Sequence, residues 1–233
     1  VEVSRAGGIA MIRSQTPGAT SEYDHLSSLI EHRVSGLIFV SGRHADLLAD
    51  LDPYHDAVQR SIPLVTINGA RPEILAPDFS TGDALGIRAA VTHLHELGHT
   101  RIALLTGRTH VVPALRTAEA FTQIMGELVG DHAPIIEETF YTYEAAAAHT
   151  SGLIERGVTA IITGSDLQAL GAIHTITSMG LSVPADLGHR FRRFLPHVTP
   201  QPRADDGPPA GARDRDGCRA QPVRGLGHTR LHS

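Results

Sequence analysis

Val91-Thr-His-Leu-His-Glu-Leu-Gly-His-Thr-Arg-Ile-Ala-Leu-Leu-Thr-Gly107 runs from the end of one helix, through a turn, into a strand. Upstream, Asp83 is placed to cap a helix over Asp83–Leu97, and Gly98 to close it in the left-handed conformation. Within that span Leu85, Ala89, Val91 or Thr92, and Leu94 recur at helical spacing, so they are expected to form the stripe that faces a sheet. Arg101–Leu105 then reads as a strand. Its nearly continuous apolar run is the pattern of a strand covered on both faces.

The same alternation extends in both directions from Gly8 to about Leu187. Strands are expected at Ile9–Arg13, Gly36–Ser41, Leu64–Asn68, Ile135–Phe140 and Ala160–Thr163. Helices are expected at Ser21–Arg33, His44–Arg60, Pro113–Leu128, Tyr143–Arg156 and Leu167–Met179. Strand runs alternating with helical segments imply an α/β fold with parallel sheets. From the residues alone nothing narrower follows.

The chain has 233 residues, 41% of them hydrophobic, enough for a sizeable core. No apolar run approaches the roughly 18 residues of a membrane-spanning helix. The single cysteine, Cys218, leaves no internal disulfide framework. All twenty cations are arginine, and nine of them fall in residues 189–233 beside only four acids. The tail therefore carries +5 and the first 188 residues −10, a balance unsuited to nucleic-acid binding by the body, because phosphate contacts need clustered cations. After Gly188 the periodicity stops. Eleven of the next 45 residues are Pro or Gly, and such a segment is expected to be a disordered basic tail.

Four stretches, in order, resemble the LacI/GalR family of transcription regulators. They are His32-Arg-Val-Ser-Gly-Leu-Ile-Phe-Val40, Ile62-Pro-Leu-Val-Thr-Ile-Asn68, the Val91–Gly107 segment with its Gly-His turn, and Ile161–Ala172 followed by Met179-Gly-Leu-Ser-Val-Pro-Ala-Asp186. The resemblance covers residues 1–188. It implies a periplasmic-binding-protein-like body of two parallel-sheet, Rossmann-like α/β subdomains with a ligand cleft between them. Residues 1–107 are expected to form the N-terminal subdomain, residues 108–188 the C-terminal one, and 189–233 a non-native tail. The family's helix-turn-helix, hinge helix and first strand would precede Val1, so operator DNA would be bound only through that missing region. A sugar or similar small-molecule effector, a homodimer and a cytoplasmic location are further implications.

The tail departs from the family, which continues with Val-Gly-Phe-Asp-Asp and later Leu-Thr-Thr-Val-Arg-Gln-Pro. Codons chosen for His189–Phe194, read one nucleotide later, encode Ile-Gly-Phe-Asp-Asp. Codons chosen for Ala204–Ala210, shifted the same way, encode Leu-Thr-Thr-Val-Arg-Gln. A frameshift near Gly188 is therefore expected, with loss of the segment that returns to complete the first subdomain.

A sugar needs paired polar groups for its hydroxyls and an aromatic face for its ring, at strand ends facing a cleft. Carried over from the resemblance, Asn68, Ser165 and Asp166 take polar positions, and Tyr141, with Phe140 beside it, the aromatic one. The family's effector arginine falls by strict spacing on Thr117, with Arg116 one residue early, which puts ligand binding by Arg116 in doubt. For all of these residues a plain loop or capping role is the alternative. His95 and His99 have metal-ligand spacing, but no third ligand follows, so no metal or other cofactor is expected. No nucleophile elbow, phosphate-cradling loop or Cys-His pair stands in the body, so an enzyme is not expected. A solute-binding protein of a sugar transporter, which shares the fold, is the competing reading.

Overall fold

Eight strands fall into two sheets in the computed structural model, which describes residues 2–13, 22–130, 133–183, 188–190 and 198–200. The strands are β1 (Leu37–Val40), β2 (Leu64–Ile67), β3 (Asp78–Thr81), β4 (Ile102–Thr106), β5 (Ile135–Glu138), β6 (Ala160–Thr163), β7 (Gly188–Arg190) and β8 (Val198–Pro200). The first sheet has the order β1-β2-β3-β8 and the second β5-β4-β6-β7. All pairings are parallel except β3 with β8. The helices are α1 (Glu2–Arg5), α2 (Glu22–Glu31), α3 (Asp52–Gln59), α4 (Asp83–Glu96), α5 (Val112–Leu128), α6 (Tyr143–Glu155) and α7 (Asp166–Ser178), with a 3-10 turn at Arg43–Ala45.

The second sheet explains the apolar run of Ile102-Ala-Leu-Leu105. Successive side chains of a strand point to opposite faces. Ile102 and Leu104 pack with Ile162 against Ile87, Val91 and Leu94 of α4 and Phe121 and Ile124 of α5. Ala103 and Leu105 pack with Ile161 against Ala146 and Leu153 of α6 and Ile176 of α7. With helices on both faces, every residue of β4 and β6 is buried.

Because α4 and β4 belong to this layer, the chain changes sheets at Gly82 and not at Gly107. The stripe on α4 is also corrected. It is Ile87, Ala90, Val91 and Leu94 that are buried, whereas Ala89 and Leu85 face solvent. The helix starts one residue earlier than the capping argument requires. Gly82 precedes it without a side-chain cap, and Asp83 is its first residue. Gly98 does close it, at φ +89, with amide bonds from Gly98 to His95 and from His99 to Leu94. Gly98→Ala is expected to lower stability by about 1 kcal/mol, the cost of a left-handed L-residue, readable as a lower midpoint in urea unfolding.

The first sheet is thinner. Its core gathers Leu37, Leu64, Tyr54, Leu26 and Ile74 on one face, while Ile38 and Val40 on β1 are each 64% exposed. The expectation of strands covered on both faces fails there. The strand expected at Ile9–Arg13 does not form either, and Ile9 and Ile12 stand in solvent. A strand exists only through a partner for its backbone groups, and among the described residues β1 pairs with β2 alone. The long helix expected over His44–Arg60 is instead the 3-10 turn and α3, with Pro53 in the first turn of α3.

Two parts of the expected tail are strands. Gly188–Arg190 extends the second sheet beside β6, and Val198–Pro200 runs antiparallel to β3, so the backbone does return to the first sheet. Sheet edges bind backbone whatever the side chains, which is why composition did not show it. The remaining tail positions, for which disorder is expected, lie outside the described residues.

Candidate functional site

Parallel strands end in loops on one edge of their sheet, and α/β proteins bind ligands beyond those carboxyl ends. Thr106-Gly107, Thr139–Tyr141 and Gly164–Asp166 form this edge on the second sheet, with Asn68 and Ser80-Thr81 on the first. Asn68 adopts φ +62, a left-handed conformation that asparagine tolerates better than most residues.

Arg116, on α5, joins the two groups. Its Nη2 donates to Asn68 Oδ1 at 2.7 Å, its Nη1 to Ser80 Oγ at 2.9 Å, and Nε and Nη2 both donate to Asp83 Oδ2, at 3.2 and 2.9 Å. Thr81 Oγ1 donates to the other Asp83 oxygen at 2.7 Å. Asp83 is 4% exposed, whereas the Arg116 side chain keeps 29% of its surface in solvent. Burial of the carboxylate is sustained by the forked donor opposite it. Arg116, and not Thr117, thus stands at the strand ends. Thr117 is buried, and its hydroxyl donates back to the Pro113 carbonyl at 2.8 Å. A one-residue step on a helix turns the side chain through about 100°, enough to separate edge from interior.

Tyr141 lies over the ends of β4 and β6. A Cβ on Gly107 would come within 2.5 Å of its ring, and one on Gly164 within 2.8 Å. The ring is 42% exposed, so one face rests on backbone while part of it meets solvent. Phe140 has the Arg108 guanidinium 5.3 Å from its ring centre. Ser165 caps α7 by accepting from the Gln168 amide at 3.2 Å, and Asp166 is exposed in the first turn, where the helix dipole favours a negative charge. Asn68 and Arg116 are therefore in direct contact, and Tyr141, Ser165 and Asp166 share the neighbouring strand ends. Thr117 is buried apart from solvent, and Phe140 is exposed beside Tyr141.

Sequence reasoning missed Ser80, Asp83 and Gln168. The sequence marks Asp83 only as a helix cap. Gln168 had a signal, an amide inside the apolar run Leu167-Gln-Ala-Leu170.

His44 is fully buried against Gly69, where an added Cβ would clash with its ring. Neither ring nitrogen has a partner among the described residues. Burial lowers its pKa from the ordinary 6.5, outweighing the attraction of Glu22 and Asp78. The unfolded chain then binds more protons than the folded one, so stability falls as pH drops below about 6.5. Melting curves from pH 8 to 5 should show a loss that His44→Gln reduces. Among the described residues no three His, Cys, Asp or Glu side chains converge to hold a metal, and His99 Nδ1 instead lies 3.1 Å from Thr159 Oγ1. No helix among them is long and apolar enough to cross a membrane.

Two predominantly parallel sheets carry the edge residues, and residues 91–188 match the model of a periplasmic binding protein-like domain. The chain is 37% identical over 191 residues to the HTH-type transcriptional regulator reg1 of Streptomyces lividans, covering 79% of this chain and 55% of that one. A LacI transcriptional regulator from a Rhodococcus species superposes with a TM-score of 0.71 at 23% identity, over 80% of this chain and 68% of the other. A LacI family regulator from Enterococcus faecium, solved with bound ribose, does so with a TM-score of 0.67 at 20% identity, over 80% and 67%. Its periplasmic-binding-protein-like region is thus similar to that of HTH-type and LacI-family regulators. The chain spans about half the length of the curated relatives it matches.

Proposed function

We propose that this chain is the effector-binding part of a LacI-type transcription regulator and that its effector is a saccharide. The observation that carries the reading is the half-exposed Tyr141 ring, resting on Gly107 and Gly164 at the carboxyl edge of the second sheet. An apolar platform beside fixed polar groups suits a molecule with one hydrophobic face and a rim of hydroxyls. Asn68, Arg116, Ser165 and Asp166 supply the rim. In this reading Arg116 presents its solvent-facing side to the ligand while Asp83 anchors the other. This reading gives the ligand no contact with Thr117, which is buried with its hydroxyl on the Pro113 carbonyl.

The whole regulator would bind operator DNA through a segment outside this chain, act as a homodimer, and work in the cytoplasm. The curated relatives are regulators, which favours this reading over a transporter's solute-binding protein and over an enzyme. Coding DNA upstream of Val1 discriminates further, since a helix-turn-helix supports the regulator and a signal peptide the transporter. Read through the codons of Gly188, the same DNA tests the frameshift.

Thermal shift against ribose and a panel of mono- and disaccharides tests the ligand class. A ligand at about 100 times its Kd stabilises by about 2.7 kcal/mol, and Tyr141→Ala should abolish the rise. If no saccharide raises the melting temperature of a chain shown to be folded, the reading is rejected.

A further inference from the structure

Gln168 is completely buried in the first turn of α7, yet its amide reaches the ends of three strands. Its Oε1 accepts from the Gly164 amide at 3.1 Å, and its Nε2 donates to the carbonyls of Thr106 at 3.3 Å and Phe140 at 3.2 Å. Two of these groups have a second bond. The Gly164 amide also donates to the Leu105 carbonyl, and the Thr106 carbonyl also accepts from the Thr139 amide, each at 2.9 Å. For the Phe140 carbonyl, Gln168 is the one partner among the described residues.

Tyr141 is the next residue. Its ring is set from below by the two glycines, and the peptide it hangs from is held by Gln168. A buried amide is costly unless its hydrogen-bonding groups are satisfied, and an apolar side chain of the same length would fill the space without that requirement. Gln168 therefore does something that volume alone would not.

We infer that Gln168 is a positioning residue, which fixes the Tyr141 ring as the apolar platform of the binding site by holding the Phe140 carbonyl. The inference rests on the saccharide reading for the identity of the ligand, but not for the placement of the ring.

The test labels the four tyrosines of the 233-residue chain with 3-fluorotyrosine, and Tyr141→Phe assigns the Tyr141 fluorine resonance. Gln168→Met keeps the length of the side chain and removes the donor. The Tyr141 resonance should then broaden or move toward that of free 3-fluorotyrosine, while those of Tyr23 and Tyr54, in the first subdomain, stay in place. Gln168→Glu adds a second arm that remains informative should the Met variant fold poorly. As a carboxylate it cannot donate to Phe140, but once protonated it can, so the Tyr141 resonance should return to the wild-type position as pH falls toward about 5. The unsubstituted chain is the reference at each pH. A residue that merely fills the core would leave the resonance unmoved in Gln168→Met and independent of pH in Gln168→Glu, and either result overturns the inference. Any saccharide that stabilises the wild type should bind Gln168→Met at least fivefold more weakly, and equal binding also counts against it. If none binds the wild type, the saccharide reading falls and the fluorine spectra still judge Gln168.

Discussion

Arg116→Met should destabilise the chain by about 3 kcal/mol, toward the lower end for breaking a buried ion pair because Arg116 keeps part of its surface in water. The loss comes from what remains behind. Asp83 is 4% exposed and would retain the Thr81 hydroxyl but lose both guanidinium bonds. Asn68 and Ser80 would lose their shared donor as well. For a folded body of this size the change corresponds to a fall in melting temperature of roughly 6 to 12 °C. Asp83→Asn removes the stranded charge, so the double variant should be less damaged than the sum of the two single ones, and a double-mutant cycle measures that coupling. An unchanged melting temperature in Arg116→Met would mean that the network contributes nothing to holding the two sheets' edges together.

Gly171→Ala should be comparably severe, at about 3 kcal/mol, although it adds a single methyl group. The contact is with backbone. A Cβ at Gly171 would stand 2.2 Å from the Tyr143 carbonyl oxygen and 3.1 Å from the Ala146 Cβ, so α7 and the start of α6 would have to separate. Backbone has no alternative rotamer with which to relieve such a clash. Gly152, also on a helix, is the control. Nothing lies within 4 Å of its would-be Cβ, and Gly152→Ala should stabilise by roughly 0.5 to 1 kcal/mol through helix propensity. Chemical unfolding of the two variants beside the parent checks both signs together. Because Tyr141 lies two residues before α6, Gly171→Ala should also weaken any ligand that rests on that ring.

Legibility followed the physics of each element. β4 and β6 could be read because a strand buried on both faces must be apolar throughout, and the helix between Gly82 and Gly98 because its closing glycine is required by a positive φ. β3, with one apolar residue in Asp78-Phe-Ser-Thr81, could not be read, since it is held by pairing with β2 and β8 and by side-chain bonds such as Thr66 to Asp78 at 2.7 Å. The apolar run at Ile9–Arg13 misleads for the converse reason, having the composition of a strand and, among the described residues, no strand paired with it. The site was legible in part. Likeness to a family points to Asn68, Tyr141, Ser165 and Asp166, which stand at the strand ends, whereas counting positions along a helix does not show where a side chain as long as Arg116 ends.

Local chemistry alone thus accounts for the α/β class, the places of the main helices and the family likeness, since periodicity, capping and turn residues act between neighbours a few positions apart. Which sheet received α4 and β4, that Arg116 meets Asp83 and Asn68, and that Gln168 braces the carbonyl behind Tyr141 depend on contacts between residues 28 to 62 positions apart in the chain. Such contacts exist only once the sheets have packed, because packing brings the groups within reach and excludes the water that would otherwise satisfy them.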